Sequence, residues 1–180
     1  MIICAGNNET FDFAQPMGVG LVEVAMNLTQ YCLFDKPDFL LFVGSAGSYG
    51  EANIFDIIES KTASNIELAF LTNDAYTPLD NVISTNTTQK KDIIVNSSNY
   101  ISTNEKLTKK FLSFGIGIEN MEFFSVLRVA QEFNIPAGGV FCVTNYTNEN
   151  AHQDFLKNHQ KAKELLTLHV KRRIKELTQK

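Results

Sequence analysis

Cysteine, histidine and arginine are each present only three times among 180 residues, and each scarcity removes a class of function. Cys4, Cys32 and Cys142 are odd in number, scattered, and lack metal-type spacing, so they read as reduced thiols of a cytoplasmic protein. His152, His159 and His169 share no spacing expected of metal ligands, and no metal is expected. An excess of basic charge is missing too: the net charge of −4 leaves no electrostatic footprint for nucleic acid. Lys171-Arg172-Arg173 is the one basic cluster. It lies in a terminal helical stretch without aromatic interleaving and reads as a solvated face. No apolar run approaches the roughly 18 residues that a membrane span needs. Met1 leads straight into a strand, without a charged leader region. Repeats, linkers and a second composition regime are also lacking, so one domain over residues 1–180 is expected.

What is present is an ordinary globular mixture, 44% hydrophobic and 20% charged, in a chain long enough for a full core. Met1 to Ala5 reads as a short strand, followed by the polar loop Gly6 to Thr10. After a Pro- and Gly-bearing turn, Leu21, Val22, Val24, Ala25, Leu28 and Leu33 form a helical pattern that closes before Lys36-Pro37. Phe39 to Val43 is apolar throughout and reads as a central strand, with Gly44-Ser45-Ala46-Gly47 as the loop that ends it. Asn53 to Ser60 and Ile93 to Val95 read as further strands. The polar stretch from Lys61 to Lys91 reads as a surface loop without chemistry, and Asn104 to Phe114 as a charged helix. A long last helix follows Asn148, with an apolar stripe of Phe155, Leu156, Ala162, Leu165, Leu166, Val170, Ile174 and Leu177.

The chain is organised around Gly115 to Tyr146. This stretch reads as a sharp loop, a helix carrying Phe124, Leu127, Val129 and Phe133, a stop at Asn134-Ile135-Pro136, and a buried strand from Gly139 to Val143. The strand ends abruptly in Thr144, Asn145 and Tyr146. Polar residues at the carboxyl end of a buried α/β strand mark where ligands bind. Alternating apolar strands and amphipathic helices predict an α/β fold, a three-layer α/β/α sandwich around a central mixed β-sheet.

Met121-Glu122, the helix, and a strand ending in an amide resemble the signature of the nucleoside phosphorylase and nucleosidase superfamily. Three more stretches agree in the same order: Gly18-Val19-Gly20-Leu21-Val22, Asp38 to Gly47, and Ser98-Asn99-Tyr100-Ile101. The resemblance implies cleavage of the N-ribosidic bond of purine nucleosides, most like a bacterial purine nucleoside phosphorylase and similar also to adenosylhomocysteine-type nucleosidases. It implies Glu122 for the ribose hydroxyls, Asn145 at the purine N7, and Glu9 in the loop where relatives carry a phosphate-side glycine or a water-activating glutamate. Ser45, Ala46 and Gly47 are implied for an anion or hydroxyl. Tyr100 and Ile101 are implied beside the base, Met121 against the sugar, and Tyr146 as a second hydrogen-bonding group. No cofactor is implied, with phosphate as a possible co-substrate. The partners implied are a purine nucleoside or base and further copies of the chain, as a homodimer or higher homo-oligomer.

Two departures bear on the reaction. Asparagine at position 145 donates only from its amide, where one branch has a proton-delivering aspartate; another branch uses asparagine to bridge N7 and O6, which points to 6-oxopurines. Phosphorylases grip phosphate with arginine forks. Arg128, Arg172 and Arg173 all lie outside the matching loops, and Phe42 stands where one branch has its arginine. Phosphorolysis, hydrolysis and a catalytically degenerate nucleoside-binding paralogue or subunit all remain open at this level.

Overall fold

The computed structural model describes residues 1–85 and 92–178. The chain runs β1 (Ile2–Cys4), β2 (Gln15–Pro16), α1 (Gly20–Phe34), β3 (Leu40–Ser48), β4 (Ile57–Ser60), β5 (Thr62–Ser64), α2 (Leu68–Leu71) and β6 (Val82–Ser84). It continues through β7 (Ile94–Ser97), α3 (Glu105–Thr108), a 3-10 turn (Lys109–Phe114), β8 (Ile116–Asn120), α4 (Phe123–Glu132), β9 (Ala137–Tyr146) and α5 (Ala151–Thr178). Among the described residues the strands form one mixed sheet in the order β2-β1-β3-β8-β7-β5-β6, with β9 on the far side of β3 and β4 beyond it. Strand β3 pairs in parallel with β1 and β9 but antiparallel with β8.

Two buried clusters define the layers. On one face, Val24, Leu28 and Cys32 of α1 and Phe123, Val126, Leu127 and Ala130 of α4 pack on Leu40, Phe42, Phe141 and Val143 of the sheet. On the other, Ala162, Leu166 and Val170 of α5 cover Cys4, Val43, Val140 and Cys142. The predicted three-layer sandwich around a mixed sheet is the observed fold. No helix among the described residues is long and apolar enough to cross a membrane.

Several element boundaries differ from the sequence reading, each for a tertiary reason. Gly44-Ser45-Ala46-Gly47 is not a terminal loop but the continuation of β3, because β9 pairs with it along its whole length, β8 joins it at Gly47, and the Glu9 carboxylate accepts from Ser45 N. The sharp loop expected to open the stretch that begins at Gly115 is confined to Gly115, whose φ of 74° caps the 3-10 turn; the residues after it form the buried strand β8. Of Asn53 to Ser60 only the last four residues are strand, since Asp56 Oδ2 accepts from Asn53 N at 2.7 Å and folds the start into a turn. Asn104 to Phe114 divides into α3 and the 3-10 turn. The stretch beginning at Lys61, expected as a surface loop, contributes β5, α2 and β6 as far as Ser84, and its portion from 86 to 91 lies outside the described residues. Phe39 stands before β3 and is exposed. Leu156 and Ile174 are exposed rather than part of the α5 stripe, and Leu177 lies outside the described side chains.

Candidate active site

Helix α4 starts where it does because of Asn120. Its Oδ1 accepts from Glu122 N at 2.7 Å and Phe123 N at 2.8 Å, which satisfies two of the donors that a helix start leaves free. A third, Phe124 N, donates to Ser97 Oγ at 3.0 Å. Helix α1 is capped from a distance: Gly20 N donates to Glu122 Oε1 at 2.8 Å, and Leu21 N to Asn99 Oδ1 at 2.9 Å. Ser125 Oγ donates to Leu21 O at 2.7 Å and ties the two helices together. The Glu122 carboxylate is therefore buried at the amino end of α1, where the helix dipole favours negative charge.

The carboxyl ends of β1, β3 and β9, the β8–α4 junction and the start of α5 enclose a cavity of about 260 Å³. Glu9, Ser45, Ala46, Gly47, Tyr100, Ile101, Met121, Glu122 and Asn145 all line it. Tyr146 does not: successive residues of a strand point to opposite faces, and Asn145 holds the position toward the cavity. Tyr100 is 79% exposed, so it borders the mouth. Glu119, Asn120, Asn8, Val19, His152 and Phe155 also line the cavity and were missed from the sequence. Asn120 had a signal, an Asx residue just before a helix start. Glu119 had none, because the strand that encloses it is itself set by long-range pairing.

The electrostatics are those of a carboxylate-lined hollow. Glu9 Oε1 accepts from Ser45 N at 2.9 Å; burial holds its carboxyl above the usual range, opposed by Ser45 and by the nearby His159 and Lys163. Lys163 stands behind the loop, its Nζ donating to Asn8 O at 3.2 Å and lying 5.8 Å from the Phe11 ring centre. Burial pushes Glu122 up to about 7; the Gly20 and Asn120 donors oppose this, while the charge on Glu9 adds to it. Asn120 Nδ2 supplies the donor to Glu122 Oε2 at 2.8 Å. Asn145 accepts from Thr144 Oγ1 at 2.9 Å, and its Nδ2 donates to Tyr146 O at 3.2 Å. Glu119 accepts from Ser102 N and Tyr49 OH, each at 3.0 Å, and burial raises its carboxyl as well.

No lysine or arginine is among the cavity's described lining residues. Phe42 is fully buried against Phe123 and Phe141, with ring centres 6.2 and 5.8 Å away. Arg128 lines a different hollow of about 730 Å³, between residues 65–84 and α4, and donates to Gln131 Oε1 at 2.7 Å. That hollow is larger and also carries carboxylates and amides, but its Glu67 and Asp80 are exposed, whereas Glu119 and Glu122 of the smaller one are buried. The smaller cavity is the one equipped for chemistry.

Residues 91–175 match the family model of the Phosphorylase superfamily. No curated protein matches the sequence. Solved structures match in fold. The Helicobacter pylori 5'-methylthioadenosine/S-adenosyl homocysteine nucleosidase, in a mutant form with 5'-methylthioadenosine in its active site, superposes with a TM-score of 0.76 at 20% identity, covering 89% of this chain and 78% of that one. Native futalosine hydrolase of the same species gives 0.76 at 19%, with the same coverages. The Streptococcus pneumoniae nucleosidase with a transition-state inhibitor gives 0.73 at 14%, covering 93% of this chain and 94% of that one. The chain is thus similar in fold to solved nucleosidases and, over residues 91–175, in sequence to the Phosphorylase superfamily.

Proposed function

We propose that this chain, built on the nucleosidase fold, hydrolyses the N-ribosidic bond of a purine nucleoside, acting as a single domain over residues 1–180. The observation that carries the reading is the placement of Glu9, Glu122 and Asn145 around one cavity, with Glu122 buried and Glu9 half-buried. Breaking the C1'–N9 bond leaves positive charge on the ribosyl ring, and fixed negative charge in a water-poor site stabilises it. Glu122, held by Gly20 N and Asn120 Nδ2, accepts from the ribose hydroxyls with its remaining lone pairs. Glu9 takes the proton of the water that attacks C1', and its raised affinity for protons suits it to that role. Asn145 donates to the purine N7, and its amide favours a 6-oxopurine. Met121 packs on the sugar, and Tyr100 borders the base at the mouth.

Hydrolysis is favoured over phosphorolysis by charge. A phosphate entering this cavity meets Glu9, Glu119 and Glu122 with no cationic fork to hold it, and each missing charge-assisted contact forfeits about 1.5–3 kcal/mol. The test is to incubate purified protein with inosine, with and without phosphate. Free ribose and hypoxanthine at a rate independent of phosphate are expected. Ribose 1-phosphate would restore the phosphorylase reading, and no product with retained purine binding would make the chain a binding paralogue.

A further inference from the structure

The reaction just proposed leaves one proton unassigned. As the C1'–N9 bond breaks, its electron pair moves into the purine, which leaves as a poor, anionic group unless N7 gains a proton. Asn145 cannot supply one: its amide donates a hydrogen bond but keeps its hydrogens. A group that can supply it stands next door. Gly47 of β3 is paired with Glu119 of β8 on one side and Asn145 of β9 on the other. Laterally paired residues of neighbouring strands project to the same face. A Cβ placed at Gly47 would lie 3.0 Å from Asn145 Nδ2 and 3.2 Å from Glu119 Cγ, so both side chains converge on the space that the glycine leaves. Both also line the cavity.

On the nucleosidase reading, we propose that Glu119 is the general acid of this site, delivering to N7 the proton that Asn145 can only orient. The balance closes with water as the co-reactant. The Glu119 carboxyl proton passes to N7, the C1'–N9 electron pair stays with the purine, and the water oxygen bonds C1' while its proton passes to Glu9. Glu119 is then reprotonated from solvent and Glu9 released to it.

Two features equip Glu119 for this. Its carboxyl is nearly enclosed, and burial keeps it protonated to higher pH than a surface glutamate; Ser102 and Tyr49 oppose that shift. Those same two donors, Ser102 N and Tyr49 OH, fix the carboxyl plane, and the Tyr49 ring is held in turn by stacking on Phe111 with centres 4.5 Å apart. A rigid acid at a defined place is what proton delivery requires.

The experiment compares two substrates in wild type and Glu119→Gln. Inosine needs N7 protonation; 7-methylinosine carries a fixed cationic base that departs neutral without it. Glutamine keeps the acceptor for Ser102 N and can donate to the Tyr49 oxygen, so the fold is retained. On inosine, kcat/KM should fall by about two to four orders of magnitude, while on 7-methylinosine it should stay within a few-fold of wild type. The basic limb of the inosine pH profile should vanish in the variant. In Tyr49→Phe, loss of the donor that opposes the shift should move that limb to higher pH. Equal losses on both substrates, no loss on either, or an unmoved basic limb in Tyr49→Phe would overturn the assignment. Wild type inert toward both would instead overturn the nucleosidase reading on which it rests.

Discussion

Glu122→Gln separates the electrostatic strain of the cavity from its shape. The wild-type carboxyl is pushed from 4.5 to about 7, first by burial and then by the charge on Glu9, against the pull of Gly20 N and Asn120 Nδ2. Because the folded value is raised, stability from this group is fully present below about pH 4.5 and is lost as pH rises through about 7. The loss between pH 4.5 and 8 is about 3 kcal/mol. Glutamine does not titrate and escapes it. Glutamine carries its own penalty, however, independent of pH. One side of the carboxylate accepts from Gly20 N and the other from Asn120 Nδ2, each at 2.8 Å. An amide must turn its NH2 toward one of them. Asn120 cannot flip to help, since its Oδ1 already accepts from Glu122 N and Phe123 N. Two buried donors facing each other should cost about 1–3 kcal/mol. The variant should therefore be the less stable protein at pH 4.5 and equal or more stable at pH 8. Urea unfolding followed by far-UV circular dichroism measures both, which suits a chain without tryptophan. The constant penalty cancels in the comparison. The same difference from wild type at both pH values, within about 0.5 kcal/mol, would refute a raised Glu122.

On the proposed chemistry, kcat/KM of Glu119→Gln, which has no acid form to lose, should rise with pH through about 7 as Glu122 ionises, and Glu122→Gln alone should lower kcat by about two to four orders of magnitude in steady-state assays. Asn145→Asp should weaken binding of hypoxanthine at neutral pH, because an ionised carboxylate cannot donate to N7; calorimetry showing unchanged affinity would count against the placement of the base. Gly139→Ala should destabilise by about 1–3 kcal/mol or more in thermal unfolding, since its Cβ would stand 2.6 Å from the Phe141 ring and 2.7 Å from Phe123, both fully buried. Val22, Met26 and Leu33 leave exposed apolar surface along α1, which fits a homodimer or larger assembly; a monomer by light scattering at micromolar concentration would speak against it.

The parts of this molecule that were legible in the sequence are those governed by neighbours along the chain. The periodic apolar positions of α1 and α4, the stop at Pro136 and the apolar run of β9 declare themselves locally, and the sandwich follows from their alternation. Nine of the cavity's residues were legible by resemblance, but not their environment. Glu122 reads as an ordinary acid at a helix start; what makes it distinctive is Gly20, 102 positions away, which places it under another helix's amino end. Gly44 to Gly47 reads as a turn because glycine and serine favour turns when nothing else constrains them. Strand β9 along their whole length, β8 at Gly47 and the Glu9 carboxylate at Ser45, all from distant parts of the chain, constrain these residues, and the small side chains then leave room instead of bending. That room is what Glu119 and Asn145 occupy. Glu119 escaped notice because a carboxylate beside Gly117 and Asn120 looks like solvent-facing loop, and only the pairing of β8 with β3 and β7 shows it to be enclosed. The same long-range pairing that hid the strand therefore hid the acid within it.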